Sequence, residues 1–400
     1  MKIAIVNIKT IVTGNWRDPL RSGDTILCEG DLITRVGTAS AEEVEACDLV
    51  IDAGCATVLP GMIDSQVHVV FGDYTPRQKT VGFLESYLHA GVTTAISASE
   101  VHLPGRPKDA AGVKALAVCA HKHWENYKPG GIKVHGGSII LEPTLTSDDL
   151  REVAAAGVRL AKAGFGAFKD PTEYAPLMDA AREAGMITNV HTGGASIPDA
   201  LPVIKGEHLR AMNPHVSFHI NGGPVAMPDE DFEPIIAETD IAAQVCIAGN
   251  LRTMLMTSDL CWKHDAYDRF LVATDTPTGS GIMPLGMVYT LTYLAALRNT
   301  VSPEVWIAAA TGNNAEIYGI NTGKIEVGRI ADILIADQPL GGSQPDMLSS
   351  LAHGDIYGLG AVIAAGEPIF VGKSRNTPPP TRKVQVAANR LERSFESHRN

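Results

Sequence analysis

Pro60-Gly-Met-Ile-Asp-Ser-Gln-Val-His68 is the stretch that decides the fold, because an apolar run ends here on two polar side chains, Gln66 and His68. Short apolar runs rich in β-branched residues predict strands, and longer helical stretches lie between them. Strand and helix alternate eight times over about 250 residues, which is typical of a (β/α)8 TIM-like barrel in the α/β class. The predicted strands cover residues 62–70, 92–98, 132–141, 158–163, 187–191, 216–220, 242–247 and 270–274.

The two ends of the chain differ from the middle in their residue pattern. Short β-branched stretches broken by Gly and Asp fill the first sixty residues and return after residue 320. We expect them to pair as one small β-sandwich domain, residues 1–59 plus 320–375, beside a barrel domain of residues 60–319. After them, Asn376-Thr-Pro-Pro-Pro-Thr381 predicts an extended spacer, so residues 376–400 are interpreted as a Pro-rich C-terminal tail.

Composition excludes several classes of partner. The 400 residues include 33 Lys and Arg against 45 Asp and Glu, a net charge of −12, whereas nucleic-acid binding needs a dense basic face. No apolar run approaches the roughly 18 residues of a membrane helix, and the first residues do not resemble a signal peptide. The six cysteines are scattered, which is typical of reduced thiols in a cytoplasmic protein. The expected partner is a small molecule.

Side chains with metal-binding chemistry follow several of the predicted strands. Barrel enzymes carry their catalytic residues at the carboxyl ends of the strands, so these side chains should converge. Neutral imidazoles and a carboxylate suit Zn²⁺ or Fe²⁺, and a metal lowers the pKa of bound water towards about 7. A lysine becomes a useful ligand only if CO₂ adds to it, because the carbamate is a carboxylate that can bridge two metals. The expected ligands are Gln66, His68, Lys162, His191, His219 and Asp275.

The stretch from Pro60 to His68 resembles the first-strand motif of the amidohydrolase superfamily, and His191, His219 and Asp275 fall where that family keeps its ligands on strands 5, 6 and 8. The resemblance covers nearly the whole chain, since residues 323–335 resemble the return into the β domain. It implies hydrolysis of a C–N bond by metal-bound hydroxide. Asp275 would take the proton and give it to the leaving nitrogen, and the side of the site that holds His219 would help to stabilise the oxyanion.

A narrower resemblance is to the enamidases, a branch of this superfamily that acts in anaerobic nicotinate breakdown. It implies a carboxylated six-membered cyclic enamide as substrate, a binuclear Zn/Fe-type centre and a homotetramer. Ring opening would release an enamine, which tautomerises to an imine, and water would convert the imine to an aldehyde and ammonia. The stretches that carry this likeness are residues 72–80, 104–112, 133–137, 191–198, 219–224, 284–286 and 373–378.

The chain departs from the family pattern at two positions. The family has His-x-His on strand 1, where this chain has Gln66 and His68, and a neutral amide oxygen is a poorer ligand than imidazole. The metal position served by strand 1 and Asp275 should therefore be weak or empty. Enamidases have Glu on strand 4 where this chain has Lys162, which other superfamily members use as a carbamate. Lys169 is a competing position for the carbamate.

Basic and small residues near the predicted site are candidates for substrate binding. Arg77, Lys79 and Arg106 are cationic in an acidic protein and fall in loops after strands 1 and 2, where a guanidinium could bind a substrate carboxylate. The Gly pairs 193–194 and 222–223 permit close backbone approach, or N–H donation to an oxyanion. Polar and small residues after strands 5 and 6 complete the expected substrate contacts, namely Thr192, Gly193 and Asn221.

Two other functions stay open at the level of the sequence. One is another hydrolase of cyclic amides, imides or lactams that uses a single metal. The other is a catalytically degenerate scaffold that binds or assembles without turnover, because Gln66 replaces a ligand. Metal content per chain would distinguish the two.

Overall fold

The computed structural model describes residues 1–165, 167–195, 203–223, 225–277, 281–298 and 300–391. The amino-terminal part is rich in strands, as predicted, and contains one short helix. That helix begins after Ser40, whose side chain accepts from the Glu43 amide while the Glu43 carboxylate accepts from the Ser40 amide. The elements are β1 (Lys2–Val6), β2 (Thr10–Val12), β3 (Leu20–Arg21), β4 (Thr25–Glu29), β5 (Leu32–Gly37), α1 (Ala41–Glu45), β6 (Leu49–Asp52) and β7 (Thr57–Pro60).

Each of the eight apolar runs in the middle of the chain forms a strand, which confirms the sequence prediction. The third run is divided into two strands around Gly136-Gly137, and a small hairpin follows the first. The strands are β8 (Met62–Val67), β9 (Tyr74–Thr75), β10 (Thr80–Val81), β11 (Val92–Ser97), β12 (Lys133–His135), β13 (Ser138–Ile140), β14 (Leu160–Ala163), β15 (Ile187–His191), β16 (Val216–Phe218), β17 (Ala242–Cys246) and β18 (Phe270–Ala273).

Helices separate these strands and continue after the last one. Helix α4 begins at Ser147, because Thr146 and Asp149 form a reciprocal capping pair. The helices are α2 (Phe83–Leu88), α3 (Ala110–Asn126), α4 (Ser147–Ala155), α5 (Ala175–Glu183), α6 (Gly206–Met212), α7 (Phe232–Glu238), α8 (Leu251–Lys263), α9 (Gly286–Leu297), α10 (Pro303–Ala309), α11 (Gly312–Tyr318) and α12 (Met347–His353). None of the described helices has the length and apolar character needed to cross a membrane.

The middle strands form two parallel sheets. Strands β8, β11 and β12 make one sheet, and β13 to β18 follow one another in the second. The sheets meet where the chain passes from β12 to β13. They meet again where Val67 at the end of β8 forms a parallel bridge with Thr276, just past β18. The polypeptide is therefore an α/β protein in which the first and last middle strands lie side by side.

Strands from both ends of the chain pair with each other, as predicted. The late strands are β19 (Ile333–Asp337), β20 (Gly358–Ala364), β21 (Glu367–Val371) and β22 (Gln385–Asn389). Strand β19 is antiparallel to β7 in a six-stranded sheet of order β21-β20-β19-β7-β2-β3. A five-stranded sheet has the order β22-β6-β1-β4-β5, and isoleucines from both sheets, including Ile5 and Ile335, pack in one core. The exact domain boundaries stay a prediction.

The segment interpreted as a tail forms part of this sheet. Strand β22 pairs antiparallel with β6, joining Gln385 to Asp52 and Asn389 to Leu49, and Val384 before it is buried. The prediction of a tail is therefore wrong for this stretch, because an edge strand can be polar and still satisfy its backbone in the ladder. The end of the predicted tail, residues 392–400, lies outside the described residues.

A chain that ends at Lys383 should have a lower free energy of unfolding than one that ends at Leu391. The shorter chain loses the buried Val384 side chain and uncovers the edge of β6, which should cost about 2 kcal/mol or more. Urea unfolding of both chains measures the difference. Equal midpoints would mean that residues 384–391 act as a tail.

Candidate active site

The six predicted metal ligands lie at or near the carboxyl ends of the parallel strands. They belong to five different strands, and each is at most 8% exposed. Parallel strands end at one edge of a sheet, which explains how residues up to 209 positions apart in sequence come together. The side chains are those of Gln66 in β8, His68 after it, Lys162 in β14, His191 in β15, His219 after β16 and Asp275 after β18.

Backbone strain is concentrated at these strand ends. His219 has φ of 34° and Asp275 has φ of 61°, and Ser99, which follows β11, has φ of 85°. Side chains other than Gly rarely adopt this left-handed region, and it persists where the surrounding structure enforces it. The chain therefore turns sharply at the points where it presents these side chains.

Asp275 holds together the first of two contact groups. Its Oδ1 accepts a hydrogen bond from Gln66 Nε2 at 2.7 Å and lies 3.1 Å from His68 Nε2. The other imidazole nitrogen, His68 Nδ1, is 3.1 Å from the Ser99 carbonyl oxygen, and a carbonyl can only accept. In the neutral imidazole, Nδ1 therefore carries the proton and the Nε2 lone pair faces the carboxylate. This arrangement needs a proton or a cation between the two groups.

His191 and His219 form the second group with Lys162. The two imidazole rings are edge to face with centroids 4.5 Å apart, and His191 Nε2 lies 2.8 Å from the Gly194 carbonyl oxygen. His191 therefore carries its proton on Nε2 and its lone pair on Nδ1. His219 Nδ1 and Lys162 Nζ are buried, and neither has a hydrogen-bond partner among the described residues. Lys162 Nζ lies 3.8 Å from the centroid of the Phe218 ring.

Burial sets the protonation of this cluster. Desolvation lowers the pKa of His68 to about 3 and that of His191 to about 4, and it also lowers the pKa of His219; the nearby Lys162 charge acts in the same direction. Desolvation likewise lowers the pKa of Lys162 and raises that of Asp275. The imidazoles are therefore neutral at pH 7, which is the form that binds metals.

The donor set fits a divalent metal in its chemistry. It offers neutral imidazoles, a carboxylate and an unpartnered buried amine, and His68 and His191 each have one ring nitrogen fixed by a backbone carbonyl, as metal-binding histidines usually do. Within the described ranges, no three His, Cys, Asp or Glu side chains come together as one cluster that could hold a metal. The donors lie in the two groups just described.

Gln66 acts as a hydrogen-bond donor to Asp275 in this arrangement. Its Oε1, the atom that could bind a metal, accepts from the Cys246 thiol at 3.4 Å. The two contacts fix the orientation of the amide, with nitrogen towards the carboxylate and oxygen towards sulfur. Sequence reasoning missed Cys246, although its position at the end of β17 follows the same rule as the predicted ligands.

Further polar groups line a narrow cleft beside His68. The His102 ring lies edge to face against the His68 ring, with the two centroids 4.7 Å apart. Arg77 Nη1 lies 3.1 Å from His102 Nδ1. Glu100 lines the same cleft, is 2% exposed and has no partner for Oε1 among the described residues. Desolvation raises the pKa of Glu100 to about 8, so it is a neutral acid at pH 7. Sequence reasoning missed Glu100, although it lies only three residues after the end of β11.

The predicted substrate-binding residues differ in their availability. Arg77 and Lys79 are exposed, and Arg77 borders the cleft. The Arg106 guanidinium is paired with Glu142 at 2.6 Å, with the two side chains only 9% and 3% exposed, so its charge already has a partner. The structure therefore distinguishes two arginines that the sequence treated alike.

The polar residues after β15 and β16 make hydrogen bonds within the protein. Thr192 Oγ1 bonds to Ser217 Oγ at 2.7 Å, and the Gly193 amide donates to the Ile204 carbonyl at 3.0 Å. The Asn221 side chain donates to the Cys246 carbonyl and accepts from the Cys246 amide, both at 3.0 Å. All three groups that we predicted to contact substrate are thus engaged within the protein. A Cβ at Gly193 would lie 2.3 Å from the Val225 carbonyl oxygen, so this glycine serves close backbone approach.

Comparison with known proteins identifies the family of the chain. A sequence model of the amidohydrolase family matches residues 57–376. The chain therefore belongs to the amidohydrolase family and is a hydrolase of C–N bonds, as its resemblance to that superfamily predicts.

Its similarity extends to a particular enzyme. The chain is 41% identical to the enamidase of Eubacterium barkeri over 386 residues, which cover 96% of this chain and 99% of the relative. The crystal structure of enamidase at 1.9 Å resolution matches with a TM-score of 0.92 and 40% identity, over 96% of this chain and 100% of that one. A β-aspartyl dipeptidase from Fervidobacterium islandicum AW-1, with 18% identity and a TM-score of 0.64 over 92% and 96% of the two chains, shares the fold alone.

Arg106→Gln should destabilise the protein, whereas Arg77→Gln should not. Removal of Arg106 leaves the buried Glu142 carboxylate without its partner, which should lower the free energy of unfolding by about 3 kcal/mol. Arg77 is exposed, so its removal should change the unfolding free energy by less than about 0.5 kcal/mol. Urea unfolding of both variants tests this, and an equal effect would contradict the distinction between the two arginines.

Proposed function

We propose that the chain is an enamidase-like hydrolase that opens a carboxylated six-membered cyclic enamide. The observation that carries the proposal is the buried Asp275, joined through Oδ1 to Gln66 and His68, in a chain 41% identical to an enamidase over nearly its whole length. The substrate suggested by this likeness is 6-oxo-1,4,5,6-tetrahydronicotinate. The likeness also favours a homotetramer and a cytoplasmic location.

The fold that positions this site is proposed to be a closed (β/α)8 barrel with a β-sandwich domain built from both chain ends. Two observations support closure. The Val67–Thr276 bridge joins the first and last strands, and the His68 amide donates to the Thr276 carbonyl at 2.7 Å. Side chains of β8, β11, β14, β16, β17 and β18, such as Ile63 and Leu271, also pack in one cluster, as inward-facing residues of a barrel do.

The side chains that would hold the metal are His68, Lys162, His191, His219 and Asp275. Zn²⁺ or Fe²⁺ bound there would polarise the substrate carbonyl and lower the pKa of a water molecule. Lys162 would take part as a carbamate, because its burial favours the neutral amine that reacts with CO₂ and its Nζ has no partner among the described residues. The alternative, Lys169, is exposed and less suited to this role.

Asp275 is proposed to move the proton that the reaction requires. Its Oδ1 is occupied by Gln66 and His68, which leaves Oδ2 without a hydrogen bond in the described part of the chain. Oδ2 would take a proton from the attacking water and deliver it to the ring nitrogen as the C–N bond breaks. Burial raises the pKa of Asp275 towards neutral pH, which makes its carboxylate a stronger base. In this role Gln66 orients the carboxylate.

Arg77 is the proposed partner of the substrate carboxylate. It borders the cleft next to His68 and its guanidinium reaches His102, whereas Arg106 is paired internally. A planar guanidinium can bind a carboxylate through two parallel hydrogen bonds. The opened enamine would then lose ammonia in water, as an imine formed by tautomerisation is hydrolysed to an aldehyde.

One observation favours a variant of this function that uses a single metal. Gln66 places an amide nitrogen against Asp275 where a second imidazole would be needed, so the position served by β8 has one histidine. The alternative is then a mononuclear hydrolase of cyclic amides, imides or lactams. A degenerate scaffold without turnover is the outcome if no metal is bound.

Asp275→Asn should retain the fold and lower turnover of 6-oxo-1,4,5,6-tetrahydronicotinate at least about 100-fold, because the amide cannot hold the transferred proton. Loss of enamide absorbance and release of ammonia measure the reaction. The matched control is Asp259→Asn, at an exposed carboxylate paired with Arg298, which should keep the activity of the unsubstituted protein. Activity of Asp275→Asn near that of the control would reject the proton-transfer role, and inactivity of the unsubstituted protein with this substrate would reject the substrate.

Gln66→His should raise the metal content of the purified protein from about one to about two ions per chain, because imidazole is the better ligand. Elemental analysis measures this without reference to activity. Gln344→His, in the loop before α12, adds a histidine elsewhere and should leave the metal content unchanged. An equal metal content in both variants would mean that Gln66 does not limit the second position.

A further inference from the structure

A cavity of about 430 Å³ lies away from the strand ends that carry the candidate active site. It borders Leu160, the first residue of β14, and Ile187, the first residue of β15, whereas Lys162 and His191 lie later in the same strands. Cavities of 300 to 1,000 Å³ are typical of small-molecule sites. The neighbourhood of Asp275 does not contribute to this cavity, and nothing in the proposed hydrolysis uses it.

The register of the third middle strand explains why the cavity exists. Strand β12 pairs with β11, where His135 lies opposite Ile96, while β13 pairs with β14, where Ser138 lies opposite Leu160. Because β14 begins only at Leu160, it does not run alongside β12. Strand β12 is therefore an edge strand, and its residues from Lys133 to His135 form one wall of the cavity.

The walls combine apolar side chains with unpaired positive charge. Apolar groups come from Ile96, Leu160 and Ile187, and the Tyr318 ring adds to them. Arg159 is exposed and has no ion-pair partner among the described residues. A flat apolar molecule could pack on such walls while its charged end reached the guanidinium.

The other charges on the walls leave an excess of positive charge. Lys128 also has no ion pair in the described part of the chain, whereas Lys133 is neutralised by the buried Asp332 at 2.5 Å. The one acidic wall residue, Glu125, bonds to Lys122 at 2.9 Å and lies 3.3 Å from His121 Nε2. The acidic side chain is thus occupied, and the cavity favours an anion although the whole chain carries −12.

His135 adds a neutral hydrogen-bonding group. It is accessible from the cavity, and desolvation together with the Lys133 and Arg159 charges keeps its pKa below the ordinary value. The imidazole is therefore uncharged at pH 7, with one nitrogen that donates and one that accepts. It can orient a polar ligand without adding a charge.

We propose that this cavity binds a small organic carboxylate with a flat apolar body, its carboxylate on the Arg159 guanidinium and its body against Leu160, Ile187 and Tyr318. Arginine pairs with carboxylates through two parallel hydrogen bonds, which gives both affinity and orientation. The site is separate from the Arg77 cleft, so a carboxylate bound here would leave the hydrolytic site free.

The test uses 2-naphthoate as the probe and 2-naphthamide as its uncharged counterpart, with binding to the purified full chain measured by calorimetry. We expect one 2-naphthoate per chain and binding of the amide at least tenfold weaker. Arg159→Gln should weaken 2-naphthoate binding at least tenfold. Arg151→Gln, at an exposed arginine of α4 that pairs with Asp148, is the matched control and should leave binding unchanged.

Other outcomes would overturn the proposal. Absence of saturable binding, or equal affinity for the acid and the amide, would contradict a carboxylate site. Loss of binding in Arg77→Gln but not in Arg159→Gln would place the probe in the cleft near His68. If the probe does not bind and Arg159→Gln changes the molar mass measured by light scattering, the cavity is an interface between copies of the chain.

Discussion

The candidate active site depends on the contact between the first and last of the parallel strands. Asp64 of β8 is fully buried. It accepts hydrogen bonds from the Thr274 backbone N–H at 3.0 Å, from the Thr274 hydroxyl and from the Gln66 backbone N–H. A buried carboxylate is tolerated only when its oxygens are bonded in this way. These bonds fix β8 against the end of β18. Together with the bridge between Val67 and Thr276, they bring Asp275 beside Gln66 and His68.

The burial that surrounds Asp64 also changes the protonation of the neighbouring side chains. Water is excluded from the strand ends, so imidazoles stay neutral, the Lys162 amine loses its preference for the charged form and Asp275 becomes a stronger base. The protein also leaves atoms of this cluster without partners, most clearly Lys162 Nζ and His219 Nδ1 among the described residues. Unsatisfied buried atoms are costly in a folded protein, and two of them on side chains with metal-binding chemistry are a sign of a site that completes itself with a ligand.

The sequence was sufficient to predict the middle strands and to place the candidate metal ligands at or near their carboxyl ends. The eight middle strands are apolar and β-branched, so each has a local signal, and His191 is the last residue of the strand predicted for it. The placement of the candidate ligands at one edge of the sheets follows from parallel topology, which requires no knowledge of side-chain packing. Strand β22 had no such signal, because an edge strand is recognised by its partner, β6, more than by its own composition. The division of the third run into β12 and β13, and hence the cavity beside them, likewise depends on register.

Substrate-binding residues were harder to predict, because residues distant in sequence decide whether a side chain is free to bind substrate. Asn221 and Arg106 have side chains suited to recognising a substrate, yet their hydrogen bonds are used by Cys246 and Glu142, 25 and 36 positions away. No local pattern reports such a partner. Glu100 differs from these two residues, because its Oε1 is buried and has no partner among the described residues. Its position near a strand end did not reveal this in the sequence. A polar residue at a strand end is therefore a stronger candidate for function when the protein leaves at least one of its hydrogen-bonding atoms without a partner.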